Sequence, residues 1–308
     1  MILDLALVVA GALAAMLGSQ RAVERGVRLA RALGLPPFLV GVVLLSLGTD
    51  LSEITNSIVS ALTGHGDIAA GDAIGSVFTQ GTLILGLLPF VVRAPLIAER
   101  RQVLTTCVLT LLGVGLSALL LSDGTIGRLD ALVLGAAWVA ATWILSRDRR
   151  GGTRDHSLPA RPWRAAVVVL AWLALVAAGA LAIVRGVAGL AAAWGVPEYV
   201  LSFLLASLGT SLPELVVDLT ALRKGHVQLA LGDLLGSCLV DATLVVGIGP
   251  LVRPTQVTID VALRGAALAA LGMAAVAGVC ARGRIDRAAG AALLVVYLAA
   301  YALFLRWM

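Results

Sequence analysis

Ten stretches of mainly apolar residues, each about as long as a helix needs to cross a bilayer, follow one another along the chain. They lie near 2–18, 38–62, 68–90, 102–121, 128–146, 164–183, 197–222, 227–250, 256–280 and 286–306, with Gly, Pro and Arg as punctuation between them. A chain written this way has little choice of fold. Hydrocarbon offers no partner to a backbone amide or carbonyl, so each stretch must satisfy its own by forming a helix. A mean hydropathy of +1.00 and a charged content of 13% over 308 residues exclude the soluble globular classes. The expected fold is an all-α polytopic membrane protein with ten transmembrane helices, five in each half.

The basic residues orient those helices. With loops assigned alternately to the two sides, 18 of the 23 Lys and Arg fall on one side, in clusters at Arg21/25/28/31, Arg93/100/101, Arg147 to Arg164, Arg223/Lys224 and Arg282/284/287. The positive-inside rule makes that side the cytoplasm and puts both termini outside. The net charge of +5 is thereby explained by orientation and calls for no nucleic-acid partner. The first stretch has no preceding Lys or Arg and is followed by four arginines, so it reads as a first helix rather than a cleaved leader. Cys107, Cys238 and Cys280 are scattered singly and match no metal or redox spacing, and they read as small packing residues. His65 and His226 read as loop residues. The polar run Ser146 to Arg164 divides the chain into residues 1–146, a cytoplasmic linker 147–163, and residues 164–308.

One polar phrase occurs twice in this apolar chain, as SLGTDLSE from Ser46 to Glu53 and as SLGTSLPE from Ser207 to Glu214. The offset of 161 holds without a gap from Ser46–Gly86 to Ser207–Gly247, and 16 of those 41 positions are identical. Most of the matches are Gly, polar or charged, including Gly64/Gly225, His65/His226, Asp72/Asp233 and Ser76/Ser237, so apolar composition alone does not produce them. The chain is a duplication. An odd number of helices per half makes the second copy cross in the opposite sense to the first, which is the inverted repeat found in secondary transporters.

Inversion brings Glu53 and Glu214, each about halfway along its span, to one site near the bilayer midplane. A carboxylate at that depth costs on the order of 2.5–3.5 kcal/mol on insertion scales, and no Lys or Arg lies at comparable depth to offset it. The missing counter-ion is then the cargo. Helical spacing sets Thr49 with Glu53, Thr210 with Glu214, Asp72 with Ser76 and Gln80, and Asp233 with Ser237 and Asp241, as polar stripes. Carboxylate, hydroxyl, amide and carbonyl oxygens form the ligand set of hard cations such as Na⁺ and Ca²⁺. Helix packing by small residues accounts for the Gly and Ser in these stripes equally well, but not for Glu53, Glu214 and Asp241.

The strings LGTSLPE with GDLLGSCLVD, and LGTDLSE with GDAIGSVFTQ, resemble the two α-repeats of the sodium/calcium exchanger family within the cation/calcium exchanger superfamily. The resemblance implies Ca²⁺ ligation by Glu53, Glu214, Thr49 and Thr210. It implies Na⁺ ligation by Ser76, Ser211, Ser237 and Asp241, with backbone from Ser46 and Ser207. The first repeat departs from the pattern: Asp50 stands for Ser, Ser52 for Pro and Gln80 for Asn. Asp72 and Asp233 replace the Asn of the usual Gly-Asn pairs, and Asp218 stands where a small hydroxyl residue is usual. Asp50 is three residues from Glu53 and can face the same cavity, which would gather Asp50, Glu53, Glu214 and Asp241. Four carboxylates so close cannot all be ionised without bound cations.

The expected function is antiport of Ca²⁺ against Na⁺ by alternating access, with no cofactor and with the lipid bilayer as surroundings. The short linker leaves no room for a regulatory domain, which points to a minimal exchanger of a prokaryotic cytoplasmic membrane. Exchange of Ca²⁺ or another divalent cation for H⁺ is the alternative, suggested by the additional acids. An intramembrane aspartyl protease is disfavoured, because AAGD and ALGD stand where Gly-x-Gly-Asp is required.

Overall fold

The computed structural model describes residues 2–33, 35–92, 95–97, 99–147, 162–191 and 207–306. The helices are α1 (Ile2–Leu33), α2 (Pro37–Thr49), α3 (Leu51–Thr63), α4 (Gly66–Val91), α5 (Arg100–Leu120) and α6 (Arg128–Ser146) in the first half. The second half has α7 (Pro162–Ala191), α8 (Ser207–Thr210), α9 (Leu212–Arg223), α10 (Val227–Val252), α11 (Ile259–Cys280) and α12 (Arg287–Arg306). The ten expected stretches fall on these helices wherever residues are described; the linker 148–161 and the beginning of the 197–222 stretch lie outside the described residues.

Among the described residues α4, α5, α6, α10 and α11 are long and apolar enough to cross a bilayer. The pair α2 and α3, bent by 45°, passes as one further, broken span, and α7 and α12 carry the shorter apolar runs Trp163–Gly179 and Arg287–Leu303. The chain is an integral membrane protein, and its surface reflects lipid as solvent. Leu112, Leu119, Leu132, Val139 and Leu298 point outward, while Asp50, Glu53, Glu214 and Asp241 are wholly buried.

The first helix corrects an expectation. It does not end near residue 18 but runs to Leu33, because Ala22, Val23, Gly26, Val27 and Leu29 form a buried stripe at helical spacing while Arg21, Glu24, Arg25 and Arg28 face outward. The 38–62 stretch is also not one helix but two, hinged at Asp50. Among the described residues, three π-helical segments were not legible in the sequence: Gly41–Leu45 within α2, Thr79–Ile84 within α4 and Asp241–Val245 within α10. The last two occupy equivalent places in the two halves. Such widened turns recur at functional sites because they re-aim the side chains that follow.

The repeated Gly-His pair has a local cause. Gly64 and Gly225 take left-handed conformations, φ 85° and 78°, and Gly64 caps the end of α3, a position where a Cβ is costly. His65 and His226 then precede α4 and α10, and His65 is exposed with Nδ1 3.0 Å from Thr63 Oγ1. Both histidines are loop residues, as expected, and the three cysteines are buried and free.

The all-α description needs one amendment. Four two-residue strands, β1 (Leu96–Ile97), β2 (Thr125–Ile126), β3 (Thr255–Gln256) and β4 (Arg284–Ile285), form two antiparallel ribbons, β1 with β4 and β2 with β3. Each ribbon takes one strand from each half, and it pairs loops that periodicity along the chain cannot relate. The same grouping recurs in side-chain contacts. Gln228 Nε2 donates to Ile97 O at 3.1 Å, which joins the α9–α10 turn to the β1–β4 end. Thr258 N and Oγ1 both donate to Asp67 at 2.7 Å, and Arg253 Nη1 donates to Leu62 O at 2.6 Å, which joins the α3–α4 turn to the β2–β3 end.

Glycine lets α2 lie directly against α10. A Cβ on Gly236 would sit 2.5 Å from Val42 Cα, and one on Gly232 would collide with the Phe38 carbonyl. The two backbones touch where the α2 π-segment begins, and this brings Thr49 against the polar stripe of α10.

Candidate functional site

Two broken helices meet at the centre of the molecule. Asp50, with φ −71° and ψ 8°, separates α2 from α3, and Ser211, with φ −80° and ψ 8°, separates α8 from α9. Glu53 and Glu214 each stand in the first turn of the helix that follows the break, where the N-terminal end of the macrodipole favours negative charge. Pro213 suits the first turn of α9, which needs no amide donor from it. The middles of α4 and α10, widened by their π-segments, carry Asp72, Ser76 and Gln80 and Asp233, Ser237 and Asp241 into the same region.

All twelve residues anticipated for the site are buried: Ser46, Thr49, Asp50, Glu53, Ser76, Gln80, Ser207, Thr210, Ser211, Glu214, Ser237 and Asp241. Carboxylate oxygens of Asp50, Glu53 and Glu214 lie within 4.8 Å of one another. Asp241 is close enough for its charge to act on Asp50, Glu53 and Glu214. Among the described residues, both oxygens of Asp50, Glu214 and Asp241, Glu53 Oε1, Ser76 Oγ and Gln80 Oε1 have no hydrogen-bond partner. Orphaned, buried acceptors converging on one volume describe a socket for something that carries positive charge.

The remaining polar groups hold the frame. Thr210 Oγ1 donates to Asp72 Oδ1 at 3.0 Å, and its repeat-related counterpart Thr49 Oγ1 donates to Asp233 Oδ1 at 3.4 Å. The same bond thus occurs twice, each time from the broken helix of one half to the continuous helix of the other. Thr49 Oγ1 also lies 3.4 Å from Ser237 Oγ, and Thr79 Oγ1 lies 3.3 Å from Ser207 Oγ. Gln80 Nε2 donates to Ser211 Oγ at 3.4 Å. Ser46 turns its hydroxyl back onto Val42 O at 2.5 Å, so its side chain is already used by its own helix.

Sequence reasoning missed Ser52 and Asn56. Ser52 Oγ lies 2.8 Å from Glu53 Oε2, to which it donates, and 3.2 Å from the Thr210 carbonyl, so it tethers one break to the other. Asn56 Nδ2 donates to Asp72 Oδ2 at 2.6 Å. The available signal was modest: Ser52 departs from a proline in the duplicated phrase, and Asn56 lies on the Glu53 side of α3.

The chemistry of this donor set is hard oxygen with excess negative charge. Three points within 4.8 Å of one another have a centre no more than about 2.8 Å from each, while Ca²⁺ takes oxygens at about 2.3–2.6 Å. A Ca²⁺-sized ion therefore fits after the carboxylates close in by a few tenths of an ångström. Mg²⁺, which demands about 2.0–2.1 Å, requires a larger contraction of a packed frame.

Comparison with known proteins identifies the family. The family model described as "Sodium/calcium exchanger protein" matches residues 3–147 and 164–306. The putative antiporter CaxA of Alkalimonas amylolytica is 30% identical over 251 residues, covering 77% of this chain and 76% of that one. The inner membrane protein YrbG of Escherichia coli (strain K12) is 28% identical over 283 residues, covering 83% and 82%. Structures of the sodium-calcium exchanger NCX_Mj soaked with Na⁺ and Sr²⁺ superpose with a TM-score of 0.80 at 25% identity over 98% of both chains. With both halves of the duplication inside the matched model, and the same fold over nearly its full length, the chain belongs to the sodium/calcium exchanger family.

Proposed function

We propose that this protein is a secondary antiporter that exchanges Ca²⁺ for Na⁺ by alternating access, with ions competing for one site between two inverted five-helix halves. The observation that carries the reading is the trio Asp50, Glu53 and Glu214, buried, within 4.8 Å of one another and almost without donors, at the junction of two helix breaks. In this reading their carboxylates hold Ca²⁺, with the Thr49 and Thr210 carbonyls completing the shell. Ser76, Gln80, Ser211, Ser237 and Asp241, with the backbone of Ser46 and Ser207, take Na⁺.

Binding either cargo neutralises the same acids. This makes the two ions compete and links their fluxes without any covalent chemistry. The exchange of Thr49–Asp233 and Thr210–Asp72 hydrogen bonds between halves supports inverted repeats, and so does the pairing of β1 with β4 and β2 with β3. The arginine distribution supports ten crossings with both termini outside, and the short linker supports a minimal exchanger of a prokaryotic cytoplasmic membrane.

One observation favours a second reading. Asp50 adds a third carboxylate to the two on which a divalent ion depends, which suits Ca²⁺/H⁺ exchange. Purified protein in liposomes, with ⁴⁵Ca²⁺ uptake driven by an imposed Na⁺ gradient or by an imposed pH gradient, separates the two. Uptake that requires internal Na⁺ and is abolished by Glu53→Gln and by Glu214→Gln is the expected result. Uptake driven by a proton gradient without Na⁺ establishes the second reading, and near wild-type uptake by either variant refutes the site.

A further inference from the structure

The two halves finish their flanks differently. In the first half Asp72 is satisfied, accepting from Asn56 Nδ2 at 2.6 Å and from Thr210 Oγ1 at 3.0 Å. In the second half its counterpart, Asp233, accepts a longer bond from Thr49 Oγ1 at 3.4 Å, and its Oδ2 has no partner among the described residues. Val217 stands in place of Asn56, and Asp218 stands in place of Ser57. Ser57 is itself satisfied, donating to Val245 O at 2.7 Å and accepting from Gly249 N at 3.2 Å.

Asp218 has no such partners. It is wholly buried, among the described residues no donor group reaches either of its oxygens, and its carboxyl lies within hydrogen-bond reach of that of Asp233, whose Oδ2 is orphaned as well. Where duplication elsewhere supplies an amide, this flank sets acid against acid. A buried carboxylate pair without donors is costly unless a cation sits between the groups.

Asp218 lies one helical turn beyond Glu214 on α9, on the side of Arg223 and Lys224, and Asp233 lies one turn before Ser237 on α10. The pair is thus displaced from the central trio toward the end of the molecule where Lys224 meets Glu24 at the surface. From this placement we propose that Asp218 and Asp233 form a second cation site, which holds a divalent ion between the central site and that end. Two carboxylates neutralise a divalent ion, and oxygen donors select a hard one. The proposal extends the exchanger reading, since the ion it holds is the cargo in transit.

Equilibrium ⁴⁵Ca²⁺ binding to the purified full-length protein in detergent, without Na⁺, tests it. Wild type is expected to bind about two Ca²⁺ per chain, and Asp218→Asn, which sets an amide against Asp233 much as Asn56 is set against Asp72, about one. Asp218→Ser, which copies Ser57, must behave the same way, and it keeps the test alive should the Asn variant fold poorly by size-exclusion chromatography. Glu214→Gln is expected to remove the other ion. Binding that Asp218→Asn and Asp218→Ser leave at the wild-type number overturns the proposal and leaves a shared proton between the two acids. Binding of about one ion that these variants abolish and Glu214→Gln spares overturns the central site instead.

Discussion

Replacing Asp50 by Asn or Ser is expected to weaken Ca²⁺ binding by about 10- to 100-fold. The trio of oxygens within 4.8 Å leaves each carboxylate about 2.8 Å or less from a common centre, so a Ca²⁺ there touches all three. A hydrogen bond or ligand contact to a charged group contributes about 1.5–3 kcal/mol net. At about 1.4 kcal/mol per tenfold, that loss converts to the stated change in Kd. The same variants relieve the ion-free protein. Two ionised groups no more than 4.8 Å apart repel by at least about 3.5 kcal/mol at an effective dielectric constant of about 20, and Asp50 has two such neighbours. Unfolding in EGTA without Na⁺ should therefore occur at higher temperature in the variants. The rise produced by a fixed excess of Ca²⁺ should shrink by about the same 1.5–3 kcal/mol, because ligand stabilisation follows RT ln(1 + c/Kd), with c the free Ca²⁺ concentration. Isothermal titration with Ca²⁺ at fixed pH gives the affinity, and thermal unfolding with and without Ca²⁺ gives the linkage. A Kd within about twofold of wild type in both variants would show that Asp50 is not a ligand, whatever its position.

Gly236→Ala places a methyl group 2.5 Å from Val42 Cα, a backbone atom that cannot swing aside, and should cost about 1–3 kcal/mol in thermal unfolding while displacing Thr49 from Asp233. Ser57→Ala strips partners from Val245 O and Gly249 N at a buried contact and should cost about 1–3 kcal/mol, whereas a cost below about 0.5 kcal/mol would mean water replaces the hydroxyl. Thr63→Cys and Arg282→Cys should react with an impermeant maleimide from opposite faces of the membrane, and labelling from the same face would refute the crossing order. At the surface, the hydrogen bond and charge of Lys224 hold the Glu24 carboxyl below its ordinary range. Its contribution is therefore complete above about pH 4.3, the ordinary Glu value, and is lost as pH falls below it, so Lys224→Ala should lower stability by a constant small amount at every pH above that value, with the difference from wild type disappearing on the acid limb.

The membrane-spanning stretches, the duplication and the acids at its centre were legible because lipid makes them so. Each apolar run must fold as a helix, and a carboxylate kept inside one must have a reason to be there. The offset of 161 even indicated which residues correspond, Thr49 to Thr210 and Asp72 to Asp233, and each threonine donates to the aspartate of the other half. Arginine clusters suggested the shared sides of loops that the two ribbons then paired.

Other features were decided in three dimensions. The break at Asp50, the π-segments that aim Gln80 and Asp241, the continuation of α1 to Leu33 and the tether from Ser52 to the Thr210 carbonyl leave no periodic trace. So does the contrast between a satisfied Asp72 and an orphaned Asp218. Periodicity reports which groups must avoid lipid, and it does so from local spacing alone. The donor that satisfies a buried oxygen sits on another helix, 138 residues away for Asp72 and Thr210, and only the packing of one half against the other determines whether it arrives.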